Sequence, residues 1–185
     1  MGKRENSSRV VLLFIVLVIV FVIAAIFLIP CAGCNAKVDF VFSPGAEDEV
    51  IDFIRSAEES IDVQVYVFTS ENIIRELGEA SERGVKVRVL LEPRISDSRK
   101  QLTFDLLDEL GVDVRWASFE YKITHSKFII VDRKKALIGS INLSHSALTA
   151  NREAAAEIEG PAVQELVNIF EEDWEKSVGV WAVSD

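Results

Sequence analysis

A chain of 185 residues suits one globular domain with an appendage. Its net charge of −10 becomes −12 once the first thirty residues are set aside, which argues against a general nucleic-acid binder, whose affinity comes from Lys and Arg on phosphates. The only cysteines, Cys31 and Cys34, lie side by side near the N-terminus and leave too few ligands for a zinc site, so no metal and no cofactor is expected.

Residues 1–9 form a tail with Lys3, Arg4 and Arg9. Val10 to Ile29 follows as twenty uncharged, apolar residues. At 1.5 Å per residue such a helix is roughly 30 Å long, the thickness of a bilayer core. Residues 10–29 are therefore expected to span a membrane, or to act as a signal. The basic tail places the N-terminus in the cytoplasm and the remainder outside. Ala32-Gly33-Cys34 also has the look of a lipoprotein processing site, so a lipid-anchored or secreted form is an alternative to the single-pass one.

Residues 30–37 read as a linker into a domain over 38–178, with a tail at 179–185. Val38–Phe42 is a first strand, broken by Ser43-Pro44-Gly45. Glu47–Ala57 carries Val50, Ile51 and Ile54 at helical spacing. Ile61–Phe68 alternates like a strand. Ser70 is placed to cap a helix whose inner residues are Ile73, Ile74 and Leu77. Val85–Leu91 is near-continuously apolar, as a buried parallel strand is. A helix over Arg99–Leu110 and a strand over Val112–Trp116 follow. Thr124–Val131 and Ala136–Gly139 are strands joined by Asp132-Arg133-Lys134-Lys135, a hairpin. Ala154–Ile158 is a last strand, and Val163–Trp174 a helix with Leu166, Ile169, Phe170 and Trp174 facing inward. The alternation predicts an α/β fold, a mainly parallel mixed sheet flanked by helices and preceded by one transmembrane helix.

One segment carries chemistry. His125-x-Lys127-x4-Asp132 is followed by Gly139-Ser140-x-Asn142. On a strand, His125 and Lys127 share a face, which sets a nucleophile beside a cation able to hold a phosphate oxygen. Asp132 falls on the opposite face and reads as structural. Ser140 and Asn142 share a parity, and their donors could complete a phosphate cradle. Glu153 could hydrogen-bond the imidazole of His125 and orient it. Arg94 to Arg152 holds ten basic and seven acidic residues, so a locally positive site on an acidic body is compatible with the composition.

This segment resembles the HKD motif of the phospholipase D superfamily, and Asn151-Arg152-Glu153 resembles the Asn-x-Glu that follows it there. The resemblance extends over Val38 to Trp174. A single motif copy behind an apolar N-terminus is similar to the nuclease and mitochondrial cardiolipin-hydrolase branch. It implies a metal-independent phosphodiesterase: His125 attacks phosphorus, a phosphohistidine forms, and a second histidine protonates the leaving oxygen. Lys127, Ser140 and Asn142 are then the phosphate ligands, Glu153 the orienting residue, and Asp132 and Gly139 structural members of the motif. His145, the only other histidine, has no counterpart in the pattern, so the second histidine is expected from another copy, in a homodimer with the site on its two-fold axis. A phospholipid, with a membrane as lipid partner, and a nucleic acid are the two substrate classes. The rival reading is a non-catalytic, membrane-tethered protein that binds phosphate or phospholipid.

Overall fold

A computed structural model describes residues 13–22, 36–96 and 98–179. They fall into an N-terminal unit, up to Asn35, and a second unit from Ala36 onward. In the first unit a helix, α1, is described over residues 13–22. Among the described residues no helix is long and apolar enough to cross a membrane. The single-pass arrangement inferred from the apolar run is corrected accordingly. Residues 10–12 and 23–29, Cys31, Cys34 and the tail from 180 lie outside the described residues.

The second unit runs β1 (Lys37–Ser43), α2 (Glu47–Arg55), β2 (Ser60–Val65), α3 (Glu71–Glu82), β3 (Lys86–Leu91), α4 (Lys100–Glu109), β4 (Asp113–Trp116), β5 (Lys127–Val131), β6 (Lys135–Gly139), α5 (His145–Thr149), β7 (Glu153–Glu159) and α6 (Val163–Glu175). The strands form one sheet in the order β1-β7-β6-β5-β2-β3-β4. Only the β2–β3 and β3–β4 pairings are parallel; β5 on β2, β6 on β5, β7 on β6 and β1 on β7 are antiparallel. The sheet is thus mixed, as expected, but not mainly parallel. A parallel pair needs a crossover of a dozen or more residues, and only α3 and α4 supply one.

Strand parity divides the core into two layers. Val63, Val65, Val87, Val89, Ile129 and Leu137 pack against α2, α3 and α4. Leu90, Phe128, Ile130 and Ala136 face Val163, Val167, Phe170 and Trp174 of α6. Those four α6 residues are spaced i, i+4, i+7 and i+11, one stripe of a helix. Ile169 lies off that stripe and is half exposed, contrary to its expected inward position. The α6 layer also holds a buried charge. Arg88 donates to Asp62 at 2.7 Å and by two bonds of 3.0 Å to Glu171, beneath the rings of Phe170 and Trp174. Hydrogen bonding from Arg88 holds the Glu171 carboxyl well below the usual range, to about 2, although burial opposes the shift.

The β5–β6 hairpin is pinned at its turn. Asp132 and Arg133 both adopt positive φ, 51° and 57°, and Lys134 N–H returns to Val131 O at 3.0 Å. That handedness matches the twist of the paired strands. The Asp132 carboxylate accepts from the backbone N–H groups of Glu58, Glu59 and Ser60, the last two at 2.7 and 2.9 Å. Burial pushes this carboxyl up, but the three N–H donors outweigh it and leave it below the ordinary carboxylate range. Asp132→Ala strands those donors and is expected to cost about 1–3 kcal/mol in urea unfolding at neutral pH. A group held below its unfolded value stabilises above that value and loses its contribution as pH falls through the folded one. The gap between wild type and variant should therefore narrow in acid; equal stability at neutral pH would refute the clamp.

Candidate active site

Four strand ends converge at the other end of this hairpin. Lys127 opens β5 opposite Val65, the last residue of β2. Gly139 closes β6 opposite Ala155, and Glu153 opens β7 opposite Ser43. After β6 the chain is laced to the segment after β2: Leu143 N–H donates to Val67 O, and Thr69 and Ser70 N–H both donate to Leu143 O. This brings Asn142 to the same place. The result is a depression of about 510 Å³ lined by His125, Lys127, Gly139, Ser140, Asn142 and Glu153. Asp132, at the far end of β5, is the one motif residue outside it.

His125 is not on the strand, as the parity argument assumed; β5 begins two residues later. The neighbourhood of the two side chains arises differently. Lys127 folds back, its Nζ donating to His125 O at 2.5 Å and lying 3.2 and 3.4 Å from Nδ1 and Nε2 of the imidazole. The Tyr66 ring packs at 4.5 Å from the imidazole and at 5.2 Å from Nζ. Lys127 is 8% exposed. Burial pushes its ammonium below the usual lysine range, with the negative charge of Glu153 acting the other way.

Glu153 is not hydrogen-bonded to the imidazole of His125. Its carboxylate accepts from Ser140 Oγ at 2.5 Å and from Asn151 Nδ2 at 3.2 Å. The Ser140 hydroxyl hydrogen is therefore engaged, and its oxygen accepts from Ala154 N–H at 3.2 Å. Val67 N–H donates to Asn142 Oδ1 at 3.1 Å, which leaves the amide nitrogen as the donor end of that side chain. Gly139 is required by space: a Cβ there would sit 2.3 Å from Ala154 O and 2.5 Å from Ala155 Cα. His145 lies in α5 against Thr149, away from these residues.

Two features were not found from the sequence. Tyr66 had no signal beyond an aromatic residue near the end of a strand. The other is Glu92, which follows β3 and is 1% exposed. The segment from Ala117 to Ser126 must cross the ends of β3 and β2 to bring β5 back beside β2, and Glu92 ties it down. One carboxylate oxygen accepts from Thr124 N–H at 2.6 Å, beside His125, and both accept from Arg94 at 2.5–2.8 Å. Arg94 in turn donates to Ser118 O and Tyr121 O. Burial alone would push the Glu92 carboxyl up; Arg94 and the two N–H donors hold it below the ordinary range. Glu92→Ala is expected to cost about 1–3 kcal/mol and to accelerate amide hydrogen exchange across residues 118–126. Unchanged exchange there would show that the segment is held by something else.

With the geometry in place, comparison with known proteins is specific. A family model described as "Cardiolipin synthase, PLD-like domain" matches residues 50–174. The chain is 35% identical over 142 residues to a phospholipase D of Rickettsia conorii, spanning 76% of this chain and 68% of that protein. It is 28% identical over 149 residues to a mitochondrial cardiolipin hydrolase of Chlamydomonas reinhardtii, spanning 78% and 63%. The fold superposes on Nuc of Salmonella typhimurium, a phospholipase D family member, with a TM-score of 0.72 and 28% identity over 77% of this chain and 97% of that one. NucT of Helicobacter pylori gives 0.71 and 25% over 78% and 99%. A match across most of the domain, including every strand end that lines the depression, places this chain in the phospholipase D-like family.

Proposed function

We propose that this protein hydrolyses phosphodiesters through a phosphohistidine formed on His125, without a metal ion. The observation that carries the reading is the exposed imidazole of His125 within 3.4 Å of the buried Lys127 ammonium, in a depression otherwise lined by polar donors and one carboxylate. An imidazole nitrogen attacks phosphorus, the bond from phosphorus to the leaving oxygen breaks, and that oxygen takes a proton from a second imidazole. Water, deprotonated by the same second imidazole, then cleaves the phosphorus–nitrogen bond. Negative charge grows on the non-bridging oxygens in both steps, where Lys127 Nζ and Asn142 Nδ2 are placed to meet it. Ser140 serves there only if its hydroxyl turns from Glu153. While that bond is kept, Glu153 acts through Ser140 and Asn151 rather than through the imidazole of its own chain.

A phospholipid and a nucleic-acid backbone both present the required diester. Among the described residues no group of three or more His, Cys, Asp or Glu is arranged to hold a metal. His125→Ala should lower turnover on the order of 10⁴–10⁶-fold in a protein that still folds, and wild-type activity should persist in excess EDTA. A folded His125→Ala variant with normal rates would sink the mechanism, and loss of activity to EDTA would sink its metal independence.

The second histidine requires a second copy. The depression holds His125 alone, and His145 is bonded to Thr149 elsewhere. Two chains meeting about a two-fold axis would bring two copies of His125 together, each site using the same residues twice. One imidazole must be neutral to attack while the other carries the proton, so the pair works as a unit. Mixing wild-type chains with an excess of His125→Ala chains should therefore lower activity per wild-type chain as mixed dimers form. Activity that only tracks the wild-type fraction would show that one chain suffices.

A further inference from the structure

His125 borders a second depression. It has a volume of about 350 Å³, within the range of small-molecule sites, and lies between the segment preceding β5 and helix α6. Its apolar walls are Tyr121, Ile123, Phe128 and Ile169. Ile123 and Ile169 are 44% and 50% exposed, so two branched apolar side chains stand in water on either side of one groove. Lys127, Ser140 and Asn142 do not reach it, and apart from His125 none of its lining residues is basic. Its rim carries Glu172 and Asp173 instead. Lys176 donates to Glu172 at 2.7 Å and Gln64 to Asp173 at 2.9 Å, so both carboxylates are held in place.

The groove is fixed before any ligand arrives. Glu92 and Arg94 tie the segment carrying Tyr121 and Ile123 to the end of β3, and Lys176 of the turn after α6 donates to Tyr121 Oη at 3.2 Å. A nucleic acid running from the His125 site along this groove would bring its next phosphate toward two carboxylates, with Lys176, already engaged by Glu172 and Tyr121, the one cation bonded to the lining. An acyl glycerol meets apolar walls there.

We propose that this groove seats the apolar side of a phospholipid, its glycerol and first acyl methylenes, while the phosphodiester lies at His125, and that Ile123 and Ile169 select lipid over nucleic acid. The inference rests on the phosphodiesterase reading and assigns that site its substrate class.

Full-length Ile123→Asn and Ile169→Gln, with Leu102→Gln on the exposed face of α4 as control, should be assayed on three diesters: phosphatidylglycerol in detergent micelles, single-stranded DNA and bis(p-nitrophenyl) phosphate, which has no acyl chain. The two groove variants should lose on the order of tenfold or more in kcat/KM for the phospholipid, the scale of removing apolar contacts from a substrate pocket. They should be unchanged on bis(p-nitrophenyl) phosphate, and Leu102→Gln unchanged on all three. Normal phospholipid turnover by both variants, or equal losses on every diester, would overturn the proposal. A loss confined to DNA would overturn it in favour of a base-binding groove. If the wild type hydrolyses none of the three, the phosphodiesterase reading fails by itself. Calorimetric binding of a soluble short-chain phosphatidylglycerol then decides the groove: weaker binding by both variants supports it, and unchanged binding refutes it.

Discussion

A buried ammonium with no carboxylate against it is the constraint around which this domain is arranged. Lys127 is almost wholly enclosed at the head of β5, and among the described residues none of the ion pairs involves it. Taking a charge out of water is costly unless it is paired, and the cost shows as a depressed lysine pKa. The compensation on hand is partial: one backbone carbonyl, an imidazole and the face of Tyr66. A phosphate oxygen would complete it. The site is thus predisposed to an anion even though the domain as a whole is strongly acidic, because the local field is set by this one desolvated cation rather than by net charge.

Arg88 shows what a structural cation looks like in the same sheet. It is equally buried, yet it meets two carboxylates and two aromatic faces, and its pKa is raised rather than lowered. Each nitrogen of its guanidinium is bonded within the fold: Asp62 belongs to β2, Glu171 to α6, and the guanidinium joins them through β3. The two buried cations lie on opposite faces of the sheet, on β5 and β3, the two strands that flank β2. One layer of the sheet therefore closes its charge internally, which secures α6, and the other leaves its charge open at the strand ends.

The residues of the site were legible because they sit on short, regular elements whose spacing translates directly into position. Ser140 and Asn142 follow β6 at fixed offsets, Glu153 opens β7, and the sheet brings them together with Lys127. Contacts made by side chains across the sheet were not legible. Nothing local distinguishes a Glu153 that bonds His125 from one that bonds Ser140, and the Glu92–Thr124 contact joins residues whose approach depends on where β5 returns. The pairing of the strands failed for the same reason. Residues 117–126 look like any connection, but their length and path carry the chain past β3 and β2 so that β5 lies antiparallel on the far side of β2, and the sense of every later strand follows from that. Ile169 was misplaced because α6 has more apolar residues than its inner stripe can bury, and periodicity ranks such a surplus residue with the core. The run at 10–29 was judged by hydropathy, whereas among the described residues no helix is long and apolar enough to cross a membrane.

Placing His125 before the strand rather than on it has a chemical consequence. A residue within β5 would have its backbone fixed by neighbours on both sides and its side chain committed to one face of the sheet. Immediately before the strand, the imidazole is exposed. Freedom of that kind normally costs positional accuracy, since connecting segments are more mobile than the strands they join. Here the accuracy is restored from outside the ladder. Glu92 holds the N–H of the preceding residue, Lys127 holds the carbonyl of His125 itself, and Tyr66 supports the ring. The backbone on both sides of His125 is thus fixed by side chains rather than by strand pairing.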